Sequence, residues 1–184
     1  RCIHATGDFS FAENMRFHPD AIKAAMTAIR GGRNILVDVN MAGSGISKNL
    51  LNKFGGEVIC RVAEAETADR AGNGTMTRSE AAVERAVNDN IGIAAVGNAP
   101  TALLKVMELI EQGVFAPDLV IGVPVGFVNA AESKAILASK PYPFITSLGR
   151  KGGTPVAVAA VNALLRLADL SLRSSGADIP PPAA

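Results

Sequence analysis

Five short, mostly apolar runs, at 34–39, 57–62, 93–97, 119–123 and 144–147, recur along this chain, and the stretches between them carry apolar residues three and four apart. The runs have the length and Val/Ile content of strands, and the spacing between them is that of helices with one buried face. Alternating the two makes β–α units, whose parallel strands are covered by helices on both sides. The sequence predicts an α/β fold of three layers, α/β/α, around a mainly parallel sheet of about five strands. Helices are expected at 19–30, 47–54, 77–88, 100–112, 129–138 and 155–171.

Some helix starts have a local cause. Thr77 followed by Glu80 forms a capping box, in which each side chain satisfies the other's free backbone donor. Asn98 and Thr154 are suited to cap the helices whose first turns hold Pro100 and Pro155, where a missing amide hydrogen costs little. The last helix is expected to bury Val156, Ala160, Ala163, Leu164 and Leu167. With 184 residues, 48% of them hydrophobic, the chain fits one domain over 1–170. Residues 171–184 turn to Ser, Gly, Asp and Pro and read as a flexible C-terminal tail.

Composition excludes several classes of function. A net charge of +1, with basic residues scattered, gives no field for nucleic acid. The apolar stretch 155–170 is interrupted by Asn162, Arg166 and Asp169, which suits a helix packed on a sheet better than a membrane span. No signal peptide is visible, and a cytoplasmic protein is expected. The chain begins at Arg1 without a methionine, so an upstream segment is expected. Cys2 and Cys60 lie far apart and share no ligand spacing with His4 or His18, so neither a disulfide framework nor a metal site is indicated. Cys60 reads as a buried strand residue.

In open parallel sheets, ligands bind in the loops that follow the carboxyl ends of the strands. Four such loops stand out here. Asn40 and Ser44 lie in 38–45 beside Gly43 and Gly45; Asn98 and Thr101 in 97–101; Pro124, Gly126 and Phe127 in 122–127; Arg150, Gly152 and Gly153 in 149–154. The last combines glycines, two cations and a helix amino terminus, a cradle for a carboxylate or phosphate. His4 is a candidate proton donor. Arg78 can clamp a carboxylate through its planar fork, or stand as an ordinary first-turn arginine. His18 reads as part of the lead into the helix at 19, Glu132 and Lys134 as a solvated pair, and Glu84, Arg85, Lys105, Glu108 and Glu111 as solvent-facing helix charges.

Taken in order, Ile3-His4-Ala5-Thr6-Gly7-Asp8-Phe9, Val37-Asp38-Val39-Asn40-Met41, Thr77-Arg78-Ser79, Gly97-Asn98-Ala99-Pro100-Thr101, Gly122-Val123-Pro124-Val125-Gly126-Phe127 with Glu132-Ser133-Lys134, and Gly149-Arg150-x-Gly152-Gly153 resemble one family. That family is the precorrin-8X (or cobalt-precorrin-8) methylmutases of cobalamin biosynthesis. The resemblance implies an isomerase that moves a methyl group from C11 to C12 of a corrin precursor, giving hydrogenobyrinate or cobyrinate without a cofactor. It places the catalytic histidine on His4, as proton or hydrogen-bond donor. It implies substrate contacts at Thr6, Asn40, Met41, Ser44, Arg78, Asn98, Thr101, Pro124, Gly126, Phe127, Arg150, Gly152 and Gly153. It also implies a homodimer with the pocket near the subunit boundary. A non-catalytic corrinoid or tetrapyrrole carrier would keep the loops and Arg78 but need no proton donor. A nucleotide-dependent oxidoreductase lacks its dinucleotide fingerprint here.

Overall fold

The computed structural model describes residues 1–72 and 74–175. In chain order the elements are α1 (Cys2–Thr6), α2 (Ser10–Asn14), β1 (Met15–Phe17), α3 (Ala21–Arg30), β2 (Asn34–Val37), α4 (Asn40–Gly45), α5 (Lys48–Asn52) and β3 (Val58–Ile59). There follow α6 (Ala65–Ala71), α7 (Arg78–Arg85), β4 (Ile91–Val96), α8 (Pro100–Glu111), β5 (Leu119–Gly122), α9 (Ala130–Ala138), β6 (Phe144–Ser147) and α10 (Thr154–Ser175). One six-stranded sheet runs in the order β1-β6-β5-β4-β2-β3. All neighbours pair in parallel except β1, which lies antiparallel to β6 with Met15 opposite Ser147 and Phe17 opposite Ile145.

Side chains alternate between the two faces along each strand, and the core divides accordingly. Ile35, Val37, Ile93, Ala95, Leu119, Ile121 and Ile145 face α3 and α10, meeting Ala25, Ile29, Val161, Leu164 and Leu165. Leu36, Ala94, Val96, Val120 and Phe144 face α7, α8 and α9, meeting Val83, Leu103, Val106, Met107 and Leu137. Because both faces are covered, every residue of β4, β5 and β6 is buried. Each fully buried Leu or Ile contributes about 1.5–3 kcal/mol, so these two layers dominate stability. The predicted three-layer α/β/α architecture is the observed one.

The structure departs from expectation at its margins. There are six strands, not five: β1 is a three-residue edge strand, half-buried to exposed, whose partner lies some 130 positions away, so no apolar run announces it. The strand expected at 57–62 narrows to Val58–Ile59. Cys60 follows it, half-buried, rather than lying within a buried strand. The 40–45 segment, expected as loop, is α4. The capping box forms, with Thr77 Oγ1 accepting from the Glu80 amide at 3.2 Å and the Thr77 amide donating to Glu80 Oε2 at 2.6 Å. Asn98 does not cap α8; Ala99 is the N-cap and Pro100 the first helical residue.

Helix α10 is the one helix among the described residues long and apolar enough to cross a membrane. Val156, Val161, Leu164, Leu165 and Ala168 are buried against the rest of the fold, as in a core helix. Leu167, expected inside, is 42% exposed, because Leu165 and Ala168 take the sheet-facing positions. The helix continues past 171 to Ser175, and the rest of the predicted tail, 176–184, lies outside the described residues.

Candidate active site

Strands β2, β4, β5 and β6 are parallel, so the segments that follow them emerge at one edge of the sheet. Hydrogen bonds tie these segments together in sheet order. Asp38, 3% exposed at the end of β2, accepts from the amides of Gly97 at 3.1 Å, Asn98 at 2.8 Å and Ala99 at 2.7 Å. The Gly153 amide donates to the Val123 carbonyl at 2.8 Å, and the Gly126 amide to the Arg150 carbonyl at 3.3 Å. The Arg150 guanidinium stands 5.7 Å from the centre of the Phe127 ring, which is 85% exposed. The edge thereby gathers Asn98, Gly126, Phe127, Arg150, Gly152 and Gly153. Pro124 is there too, but buried. Thr101, in the first turn of α8, shares a hydrogen bond of 3.1 Å with Thr77, which brings the start of α7 and the neighbouring Arg78 toward the same edge.

His4 belongs to α1, which packs on α10, with Cys2 Sγ donating to the Val156 carbonyl at 3.8 Å. Thr6 donates to the Cys2 carbonyl at 3.0 Å and accepts from the Asp8 amide at 3.3 Å, closing the helix ahead of Gly7, whose φ of 64° suits glycine. Lys151 Nζ then reaches Asp8 Oδ2 at 2.6 Å and Ser10 Oγ at 3.1 Å, fastening the segment to the loop after β6. That contact holds the Asp8 carboxyl down at about 2. His4, Arg78 and Arg150 are all exposed. The His4 imidazole and the Arg78 guanidinium have no hydrogen-bond partner among the described residues.

Asn40, Met41 and Ser44 lie on α4, and Met41 is 71% exposed. Ser44 Oγ is turned back on the Asn40 carbonyl at 3.1 Å. Asn40 and Ser44, with Gly43, Lys48, Val58 and Cys60, line a cavity of about 320 Å³. None of His4, Arg78 or Arg150 borders it. Among the described residues no three His, Cys, Asp or Glu side chains meet as a metal would require.

Two groups matter here that the sequence reading set aside. Asp38 organises the loop after β4 although its partners lie 59 to 61 positions away. Lys134 is fully buried rather than solvated, its ammonium donating to the Lys151 carbonyl at 2.6 Å. Ala130, Ser133, Lys134 and Leu137 make the buried stripe of α9, but two of the four are polar, so no apolar period announces it. Glu132 is exposed, as expected. Lys105 and Glu84, read as solvent-facing, are paired at 3.5 Å with side chains 12% and 17% exposed.

A family profile described as precorrin-8X methylmutase matches residues 1–167. The chain is 45% identical over 177 residues to a cobalt-precorrin-8 methylmutase of Priestia megaterium, covering 96% of this chain and 79% of that protein. It is 40% identical over 167 residues to a precorrin-8X methylmutase of Pseudomonas aeruginosa, covering 89% and 80%. The crystal structure of a precorrin-8X methylmutase from Thermus thermophilus superposes with a TM-score of 0.83 at 44% identity, covering 92% of this chain and 84% of that one. A protein whose relatives match it in sequence and in fold across nearly its whole length shares their ancestry, and the chain belongs to the precorrin-8X methylmutase family, isomerases of cobalamin biosynthesis.

Proposed function

We propose that this protein moves a methyl group from C11 to C12 of precorrin-8X or cobalt-precorrin-8, giving hydrogenobyrinate or cobyrinate, with His4 as proton or hydrogen-bond donor. The C11–methyl bond breaks as the C12–methyl bond forms, and a proton lent to a ring nitrogen returns when conjugation is restored. Nothing is consumed, and no cofactor is required. The chain's tasks are to grip a polycarboxylate ring and to polarise it. Arg78, Arg150 and the open amides of Arg150, Lys151 and Gly152 suit the carboxylates, while Thr6, Asn40, Met41, Ser44, Asn98, Thr101, Gly126 and Phe127 surround the ring.

The observation that supports this best is the His4 imidazole: exposed, without a hydrogen-bond partner among the described residues, and carried by a helix fastened to the strand-end edge through Lys151 and Asp8. Phe9, Met41, Phe127 and Val128 are 81%, 71%, 85% and 77% exposed. Such apolar exposure fits cover by the ring and by a second copy, as a homodimer with the pocket at its boundary would provide. The test compares wild type with His4→Ala for conversion and for binding of the coloured product. Turnover should fall about 10²–10⁴-fold in the variant with product affinity nearly unchanged. Undiminished turnover removes His4 from the mechanism, and a wild type that binds product but converts nothing is a carrier.

A further inference from the structure

Lys134 has no part in the methyl transfer proposed for His4. Its side chain is fully buried, and its Nζ donates to the Lys151 carbonyl, which Ser147 Oγ also reaches at 3.2 Å. A buried ammonium is costly unless an anion compensates it. No carboxylate among the described residues does so. On α8, which packs against α9, Glu108 is engaged by Lys105 and Glu111 by Lys140; on the N-terminal segment Asp8 is engaged by Lys151; Glu132, on α9 itself, is exposed. Arg150 and Lys151 on the loop are of like charge. Burial accordingly lowers the Lys134 ammonium from 10.5 to about 8.

The loop above Lys134 has a matching polarity. The carbonyls of Arg150 and Lys151 are both taken, by the Gly126 amide and by Lys134 with Ser147. The amides of Arg150, Lys151 and Gly152 have no acceptor among the described residues. Consecutive amides left open, on a loop that also carries Arg150 and Lys151, are donors free to meet an anion.

We propose that Lys134 is a positioning residue of the substrate site: by holding the Lys151 carbonyl it keeps the three loop amides open, and its buried charge is compensated only when a substrate carboxylate settles on them. This rests on the substrate being the polycarboxylate ring proposed above. Binding then favours the protonated amine. Affinity for the ring falls as the pH rises through about 8, where the free protein loses the ammonium.

The test titrates the coloured corrin product into wild type, Lys134→Met and Lys134→Gln at neutral pH and across pH 8, with KM and kcat measured at neutral pH. Lys134→Met should lose about tenfold or more in product affinity and raise KM to match, with kcat changed far less. Wild-type affinity should decline through pH 8 while both variants stay level. Lys134→Gln, which keeps a neutral donor to the carbonyl, should regain part of the affinity but not the pH dependence. Should Lys134→Met not fold, Lys134→Gln supplies both readouts. Variants that bind product as tightly as wild type, or a wild-type affinity level through pH 8, overturn the inference. A wild type that binds no product instead overturns the proposed function, and this inference with it.

Discussion

Asp38 does from a distance what a helix cap does locally. Its carboxylate accepts three amides in the turn before α8, whose own N-cap, Ala99, has no side chain to offer. The positive end of that helix is therefore already compensated. Asp38→Asn would set a donor against donors and leave an amide unsatisfied in a buried site. The variant should lose about 1–3 kcal/mol in denaturant unfolding and bind product more weakly; full retention of both would show that the loop holds itself. Asp38 stood in plain view at the end of a predicted strand. Its partners did not, because nothing local ties position 38 to positions 97–99.

Local signals served best where an element is held by its own sequence. The Thr77–Glu80 box and Pro100 mark real helix starts, since their hydrogen bonds and steric limits act within one turn. Helix α4 was hidden because Gly43 and Gly45 are poor helix formers. The structure needs Gly45 for packing: a Cβ there would come within 2.9 Å of Val158 on α10. Packing is tighter still in the 149–153 loop. A Cβ at Gly152 would stand 2.2 Å from the Val123 carbonyl oxygen and 2.9 Å from that of Pro124, and backbone cannot step aside as a side chain can. Gly152→Ala should displace the loop, lowering stability by about 1–3 kcal/mol and weakening product binding. Wild-type affinity in that variant would mean the loop does not touch the ring.

The first seventeen residues close against the far end of the chain. Beside the β1–β6 pairing, the Leu148 amide donates to the Asn14 carbonyl at 2.9 Å, Cys2 meets Val156 and Lys151 meets Asp8. His4 therefore depends on a long-range closure for its place. The Asp8 carboxyl is lowered from 3.8 to about 2, chiefly by the hydrogen bond from Lys151. A lowered acid favours the folded contact above its ordinary range, so the tether is intact at neutral pH and is lost as the pH falls through about 2. Asp8→Asn should speed amide exchange in residues 2–14 while β4 and β5 stay protected, and should lower kcat more than product affinity. Unchanged exchange would assign the closure to the strand pairing and the α1–α10 contact alone.

Layering and most of the buried strand runs were legible in the amino-acid pattern because solvent exclusion acts on every residue of a strand or helix face and repeats with its period. The ordered polar motifs likewise named the residues that surround the strand ends. Tertiary contact alone decided the antiparallel edge strand, the burial of Lys134 and the anchoring of the 97–99 loop by Asp38. Each of these joins groups far apart in the chain, and an energy that arises only when two distant segments meet leaves no periodic trace in either of them.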